Sequence, residues 1–361
     1  MSGKLTDGFF SGAVDRIKTL QRTDGAIPWY AGGVVDPWNH LEAVMGLNLC
    51  GETEAVRRGF AFLMDTQLED GSWWGQLGSA VPIDDTLQNF SADGMDTGEQ
   101  IRETNFTAYI ATAVWHDYLL HQNMEFVETI WPAVVKALDF VCRHQTPHGD
   151  IIWLAHTQTS DKSIIPAETL EATDSLLTGN SSLYKSLACG LNLATLMNAP
   201  KPAWANVHHL LGQALRDKPH RFQRITASAT KFSMDWYYPC LSGALTKQAS
   251  VARLQAQWDE FVVEGLGCRC VAHEPWVTVA ETAELILTLK AVGMDDRAAE
   301  MLGWLDRQRD EQGAYWIGFE YDSEVFWPVE KPPWTAGAVI LATDCVERLS
   351  PACNLFLHEA L

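Results

Sequence analysis

Four times along the chain a Gln closes an apolar, helix-like segment and is followed by a polar turn with Gly and then by an indole. The units run from Gln21 through Gly25 to Trp29, from Gln67 through Gly71 to Trp73, from Gln145 through Gly149 to Trp153, and from Gln308 through Gly313 to Trp316. A recurring unit of this kind restricts the chain to a repeat architecture, in which each unit buries its apolar face against its neighbours. At 361 residues and 47% hydrophobic, the chain has enough apolar mass for one closed body of such units.

Apolar residues recur at helical spacing before each unit, approximately over 8–21, 53–67, 126–145 and 296–308. Two similar segments without a clear unit lie near 203–217 and 247–263. Their other faces carry charge, as at Glu54, Arg57 and Arg58, which marks outer, solvent-facing helices. Each is followed by a segment poor in charge on every face, which must be shielded all round. These inner segments start near Asp36, Glu103, Gly179, Ser233, Trp276 and Lys331. Asp36 before Pro37 is an N-cap with proline at the first turn; Thr104 or Asn105 and Asn180 or Ser181 are further cap candidates. Six outer and six inner helices in alternation predict an all-α fold, an (α/α)6 barrel occupying residues 1–361 as one domain with its core over about 8–346. The Gln side chain and Gly turn are expected to tie an outer helix end to the next inner helix. Two long polar connections, 74–102 and 154–178, are expected to lie over one mouth as lids.

The net charge of −20 disfavours nucleic acid and anionic membrane surfaces as partners. The eight cysteines show no CxxC spacing and sit mostly in apolar runs, which suits a reducing, cytoplasmic setting. Residues 1–8 have no signal-peptide character, and no apolar run approaches the roughly 18 residues of a transmembrane span. The oligomeric state is not legible from these features.

The Gln67–Trp73 unit resembles the QW motif of the squalene-hopene cyclase and prenyltransferase β-subunit superfamily, and the likeness runs from about residue 10 to 346. The stretches 36–43, 103–109 with 114–116, 233–239 and 334–336 are similar to its bacterial single-domain members, which include class II meroterpenoid cyclases. That resemblance implies proton-initiated cyclisation of a prenyl chain on an aromatic head, with a lipophilic substrate and no cofactor. Such chemistry needs a carboxylic acid kept protonated in an apolar pocket, and aromatic faces worth roughly 0.5–2 kcal/mol each to the cation. The Asp-rich motif of the two-domain cyclases has only a partial echo at Asp84 and Asp85, so the acid is sought elsewhere.

Glu103 and Asn105 open the second inner helix, the neighbourhood from which the resemblance draws a proton donor, with Phe106 and Tyr109 on one face below. Asp235, set among Trp236, Tyr237 and Tyr238, is a competing acid whose pKa desolvation would raise. Glu281 and Glu284, three apart, share a side of the fifth inner helix; His40 and Glu42 lie in the first. Trp38, Tyr184, Trp276 and Trp334 fall with these near inner-helix openings, where they can line a shared cavity. Cys268, Cys270 and His273 do not form a four-ligand zinc set, and no metal is expected. Two other readings stay open. One is a carbohydrate-active barrel (glycosidase, lyase or epimerase) using Glu103, Asp235 and Glu281 as paired carboxylates. The other is a non-catalytic lipid-binding protein.

Overall fold

The computed structural model describes residues 5, 7–75, 77, 102–155, 165–223 and 231–357. Within them the chain is an all-α barrel. The outer layer is α1 (Ser11–Leu20), α3 (Thr53–Thr66), α5 (Met124–Arg143), α8 (Pro202–Asp217), α10 (Lys247–Ala256) with the short α11 (Trp258–Phe261), and α13 (Asp295–Trp304). The inner layer is α2 (Pro37–Leu49), α4 (Thr104–His121), α7 (Leu177–Leu196), α9 (Ser233–Leu241), α12 (Val279–Ala291) and α14 (Pro333–Glu347). A one-and-a-half-turn helix, α6 (Ala167–Ala172), precedes α7. Each inner helix packs on the next, and α14 returns to α2, so the ring closes.

The two layers differ as their sequences require. In α3 one stripe is buried, including Ala55, Val56, Phe60 and Leu63, while every residue of α2 except Asn39 is buried. Small residues let inner helices approach closely: a Cβ on Gly337 would lie 2.4 Å from the Glu42 carbonyl oxygen, so closing α14 on α2 requires glycine there.

The Gln-Gly-Trp units are braces, but between outer helices rather than from outer to inner. Gln67 donates from Nε2 to the Gly71 oxygen of its own turn at 3.0 Å and to the Ala133 oxygen, in the middle of α5, at 2.9 Å. Gln21 reaches Ala55 in α3 at 2.8 Å, and Gln145 reaches Val207 in α8 at 2.9 Å. The reason is the turn's close approach to the next outer helix. Gly71 has φ +98°, and a Cβ there would sit 2.2 Å from the Lys136 oxygen. The fourth turn meets α1 instead, with a Cβ on Gly12 only 1.7 Å from the Gln312 oxygen, which joins the last outer helix to the first.

The helix starts follow the expected pattern, with two exceptions. Asp36 caps α2 through Asn39 N at 2.9 Å, but Thr104 sits inside α4, where its hydroxyl donates to the Ile152 oxygen at 2.7 Å. Asn180 is likewise internal and pairs with both backbone groups of Ile151. A five-stranded antiparallel sheet was not anticipated: β3 (Val262–Val263), β4 (Gly267–Arg269), β5 (Trp276–Thr278), β6 (Gly318–Glu320) and β7 (Val325–Phe326), in that order. Its strands are of two or three residues, too short to carry a legible alternation. A further pair, β1 (Arg102–Glu103) with β2 (Leu154–Ala155), joins the end of the first long connection to the start of the second. Most of those connections, with Asp84 and Asp85, lies outside the described residues. Among the described residues no helix is long and apolar enough to cross a membrane.

Candidate active site

Because outer and inner helices alternate in direction, all six inner helices begin at one end of the barrel, and their first turns form its mouth. The opposite end is covered by residues 349–357. There Phe356 lines, with Tyr109, Tyr238 and Lys185, a residual void of only about 10 Å³.

Four carboxylates stand at the mouth. Asp36 is fully buried; its Oδ1 accepts from Asn39 N at 2.9 Å, and its Oδ2 from Asn39 Nδ2 at 2.8 Å and from the Trp29 indole. Burial pushes its pKa up, and these donors oppose that. Glu103, the N-cap residue of α4, is half-buried, and its Oε2 accepts from Trp153 Nε1 at 2.7 Å. The protein packed around it pushes its pKa up to about 7; the Trp153 indole and the Asn105 side chain oppose that rise, and the neighbouring Asp36 adds to it. Asp235 accepts from Thr178 N at 3.1 Å and Thr178 Oγ1 at 2.7 Å on one oxygen, and from Gln223 Nε2 at 2.6 Å on the other. It therefore ties the first turn of α7 to α9 and has little free lone-pair capacity. Glu281, in the first turn of α12, is half-buried beside the Cys270 thiol, whose pKa burial and then Glu281 push up.

In ring order α4 lies opposite α12, so Glu103 and Glu281 occupy facing sides of the mouth. Below them is a floor of rings and acids. Trp38 stacks on Tyr109 with centroids 5.1 Å apart, and meets Tyr238 at 5.5 Å and Phe106 at 6.1 Å edge-on. Tyr237 and Tyr238 each donate to one oxygen of the buried Glu284 at 2.5 Å. Burial pushes Glu284 up to about 8, with Glu281 adding to the rise and the two tyrosines opposing it. Glu42, also buried, is pushed up by desolvation and then by Glu284, Asp36 and Glu281. Burial first, and then the neighbouring carboxylates, favour the protonated forms of this pair.

Of the residues singled out from the sequence, Glu103, Asn105, Trp38, Phe106, Tyr109, Tyr238, Tyr237 and Glu281 gather around this mouth and floor. Trp334 flanks it, edge-on to Trp29 at 5.8 Å, and Trp276 sits in β5 just before α12. Three lie elsewhere. His40 accepts from Ile27 N at 3.1 Å on Nδ1 and donates to the Gly59 oxygen at 3.0 Å, which fixes a neutral ring between α2 and α3. Tyr184 stacks on His208 at 4.0 Å between α7 and α8. Trp236 stacks on Phe261 at 5.2 Å and donates to the Arg253 oxygen, facing the outer layer. Asp36, Trp29 and Trp153 were missed as site residues: Asp36 reads as an ordinary cap, and the indoles as part of a repeat. Among the described residues no group of three or more His, Cys, Asp or Glu could hold a metal ion.

An enzyme of Mycolicibacterium hassiacum, "MMP endo-(1,4)-3-O-methyl-alpha-D-mannosidase", is 39% identical to the chain over 354 residues, covering 98% of the chain and 90% of that enzyme. The chain belongs to the family of this endo-mannosidase. No protein-family model matches it. Solved structures share the barrel at low identity. A wild-type glycosidase superposes with TM-score 0.65 at 13% identity over 98% of both chains. A GH63 mannosylglycerate hydrolase from Thermus thermophilus gives 0.67 at 12% identity, over 92% of this chain and 99% of that one.

Membership of the endo-mannosidase family overturns the resemblance to single-domain class II terpene cyclases, together with the cyclase activity and the lipophilic prenylated substrate it implied. The physical reason is that the Gln-Gly-Trp unit reports how outer helices are braced, a packing matter independent of the mouth's chemistry. The mouth itself carries several carboxylates with indole and amide donors on them, which is the furniture of a polar ligand.

Proposed function

We propose that the chain is a glycoside hydrolase that cleaves inside an α-1,4-linked chain of 3-O-methylated mannose. The observation that carries this is the near full-length similarity to an enzyme named for that activity, with ionisable carboxyls facing each other across the mouth. Glycoside hydrolysis needs one carboxyl protonated to give a proton to the leaving oxygen and a second, ionised one on the other side. Glu103 suits the first role, since a pKa of about 7 keeps much of it protonated at neutral pH. Glu281 suits the second, as the base for water, being accessible and set across the ring. Burial favours the protonated Glu103 and the Asp36 charge adds to that, while Trp153 and Asn105 stabilise the anion left after proton transfer. The stacked floor of Trp38 and Tyr109 offers a sugar's C–H face a flat apolar support.

The test is incubation with 3-O-methylmannose oligomers and size analysis of the products by mass spectrometry. Internal cleavage, lost in Glu103→Gln and in Glu281→Gln with both variants folded, is the expected result. Full activity in both variants would remove this pair from the chemistry. No cleavage of any mannose oligomer by the wild-type protein would remove the activity.

A further inference from the structure

Among the described residues the large hydrophobic side chains left exposed are Val325, Trp327 and Val329, at 46%, 44% and 76% exposure. All three fall in one five-residue stretch. A scattered exposed valine means little, but a cluster marks a contact surface. The stretch leaves β7, the edge strand of the small sheet, which is also where an unprotected apolar surface is a liability unless something covers it.

The stretch is firmly held. Trp327 N donates to the Gly318 oxygen at 3.2 Å, and Glu330 accepts from Ile317 N at 3.0 Å. The Trp276 indole lies edge-on to Trp327 at 5.4 Å and donates to its carbonyl oxygen at 2.6 Å. Phe326 stacks on Trp316 at 5.2 Å. The exposed indole is thus a preorganised surface, which binds without first losing much freedom. Its place is the rim of the mouth. β5, which carries Trp276, runs straight into α12 and reaches Glu281 three residues later, while the stretch itself runs on into Pro333 and Trp334 at the start of α14.

We propose that Val325, Trp327 and Val329 form an outer subsite, which holds a remote, O-methylated sugar of the chain being cleaved over Glu103 and Glu281. This rests on the hydrolase reading above. A pyranose presents C–H groups on its ring face, and O-methylation adds apolar surface where a hydroxyl would demand a hydrogen bond. A flat indole flanked by two valines, with no charged side chain among the three, matches that surface. The rim's continuity with the mouth makes the polysaccharide the occupant rather than an unrelated protein.

The test compares Trp327→Ala and Val329→Asp with wild type on methylated mannose oligomers of increasing length. Val329 is too exposed for its substitution to unfold the chain. The ratio of kcat/KM for long over short oligomers should fall about tenfold in each variant, through KM rather than kcat. The effect should be weaker on unmethylated α-1,4-mannan oligomers. An unchanged ratio overturns the subsite, as does a change of sedimenting mass in Val329→Asp, which would put a second copy of the chain on the patch. Calorimetric binding of methylated polymannose to Glu103→Gln protein separates the two ideas. If wild type hydrolyses nothing but Trp327→Ala still weakens binding about tenfold, the activity is wrong and the subsite stands. If wild type hydrolyses and Trp327→Ala binds equally well, the subsite is wrong and the activity stands.

Discussion

Glu103 makes the sharpest prediction, because two neighbours act on its proton in opposite senses. Its pKa rises from 4.5 to about 7 through burial, the Trp153 indole lowering it and the Asp36 charge raising it. Trp153→Phe keeps a ring in place and removes the 2.7 Å donor to Oε2. A hydrogen bond to a charged group is worth about 1.5–3 kcal/mol, and one pKa unit is about 1.4 kcal/mol, so the limit is roughly 1–2 units upward. Glu103 is only half-buried, so solvent at the site replaces part of the lost bond, which leaves about half to one unit. Asp36→Asn removes a like charge and moves Glu103 the other way, by on the order of half a unit. A general acid fails when it loses its proton, so in the proposed mechanism Glu103 sets the alkaline limb of the kcat/KM profile. That limb should move up in Trp153→Phe and down in Asp36→Asn, measured from pH 4 to 10 on one methylated oligomer. Limbs moving in the same direction, or not moving in either variant, would refute the assignment of Glu103 as acid.

Stability gives an independent reading of the same group. The folded pKa of Glu103 lies above its ordinary value, so its favourable contribution is whole below about pH 4.5 and lost as pH rises through about 7. Glu103→Gln should therefore gain on wild type across that window, by about 1–2 kcal/mol by pH 8 once a limiting ~3 kcal/mol is discounted for solvent in the mouth, read by urea titration at pH 4 and 8. Gly71→Ala should cost roughly 3 kcal/mol or more in the same assay, since its Cβ meets the Lys136 oxygen at 2.2 Å with φ at +98°. Gln67→Ala should cost about 1–3 kcal/mol, leaving the Ala133 and Gly71 oxygens without that donor, and should not alter the pH profile. Asp235→Ala should destabilise by about 2–4 kcal/mol with both limbs of the profile unmoved; a vanished limb would make Asp235 a proton carrier.

The barrel was legible because its two layers obey opposite rules over long segments. Charge on one face of 53–66 and its scarcity in 37–49, where Glu42 is the one acidic residue, separate outer from inner helices without any knowledge of the fold. Helices long enough to show several turns of that pattern came out within a few residues. The sheet over 262–326 did not, since two- and three-residue strands have no periodicity to read and are created by tertiary pairing. Among the candidate residues, those at inner-helix openings were picked out because position alone selects them. Position could not tell which face of the helix each occupies. Trp236 and Tyr237 are neighbours in sequence, yet one packs on the outer layer at Phe261 and the other bonds Glu284 inside the ring. His40, on the first inner helix, is a neutral bracket, because its two ring nitrogens meet a backbone donor and a backbone acceptor that no sequence pattern announces.

Chemistry was misjudged for a related reason: a packing motif was allowed to stand for a reaction. The repeat has a part that must recur and a part that need not. Gln and Gly recur because successive outer helices meet in the same geometry, and their partners are backbone oxygens, indifferent to function. The indole's partner is free to differ from copy to copy. Trp73 donates to the Leu63 oxygen and is a core residue, and Trp316 lies against Phe326. Trp29 and Trp153 instead end on Asp36 and Glu103, the carboxylates that open α2 and α4. The brace thereby becomes a way of holding an acid. Trp153 sits four residues beyond Gly149, whose turn is clamped by Gln145 at 2.9 Å and pressed against Leu210 of α8. Whatever rigidity the outer ring has is passed through that turn to the donor on Glu103. Under the proposed mechanism, function in this barrel resides in where a repeated indole points, a property of one copy at a time that the repeat itself conceals.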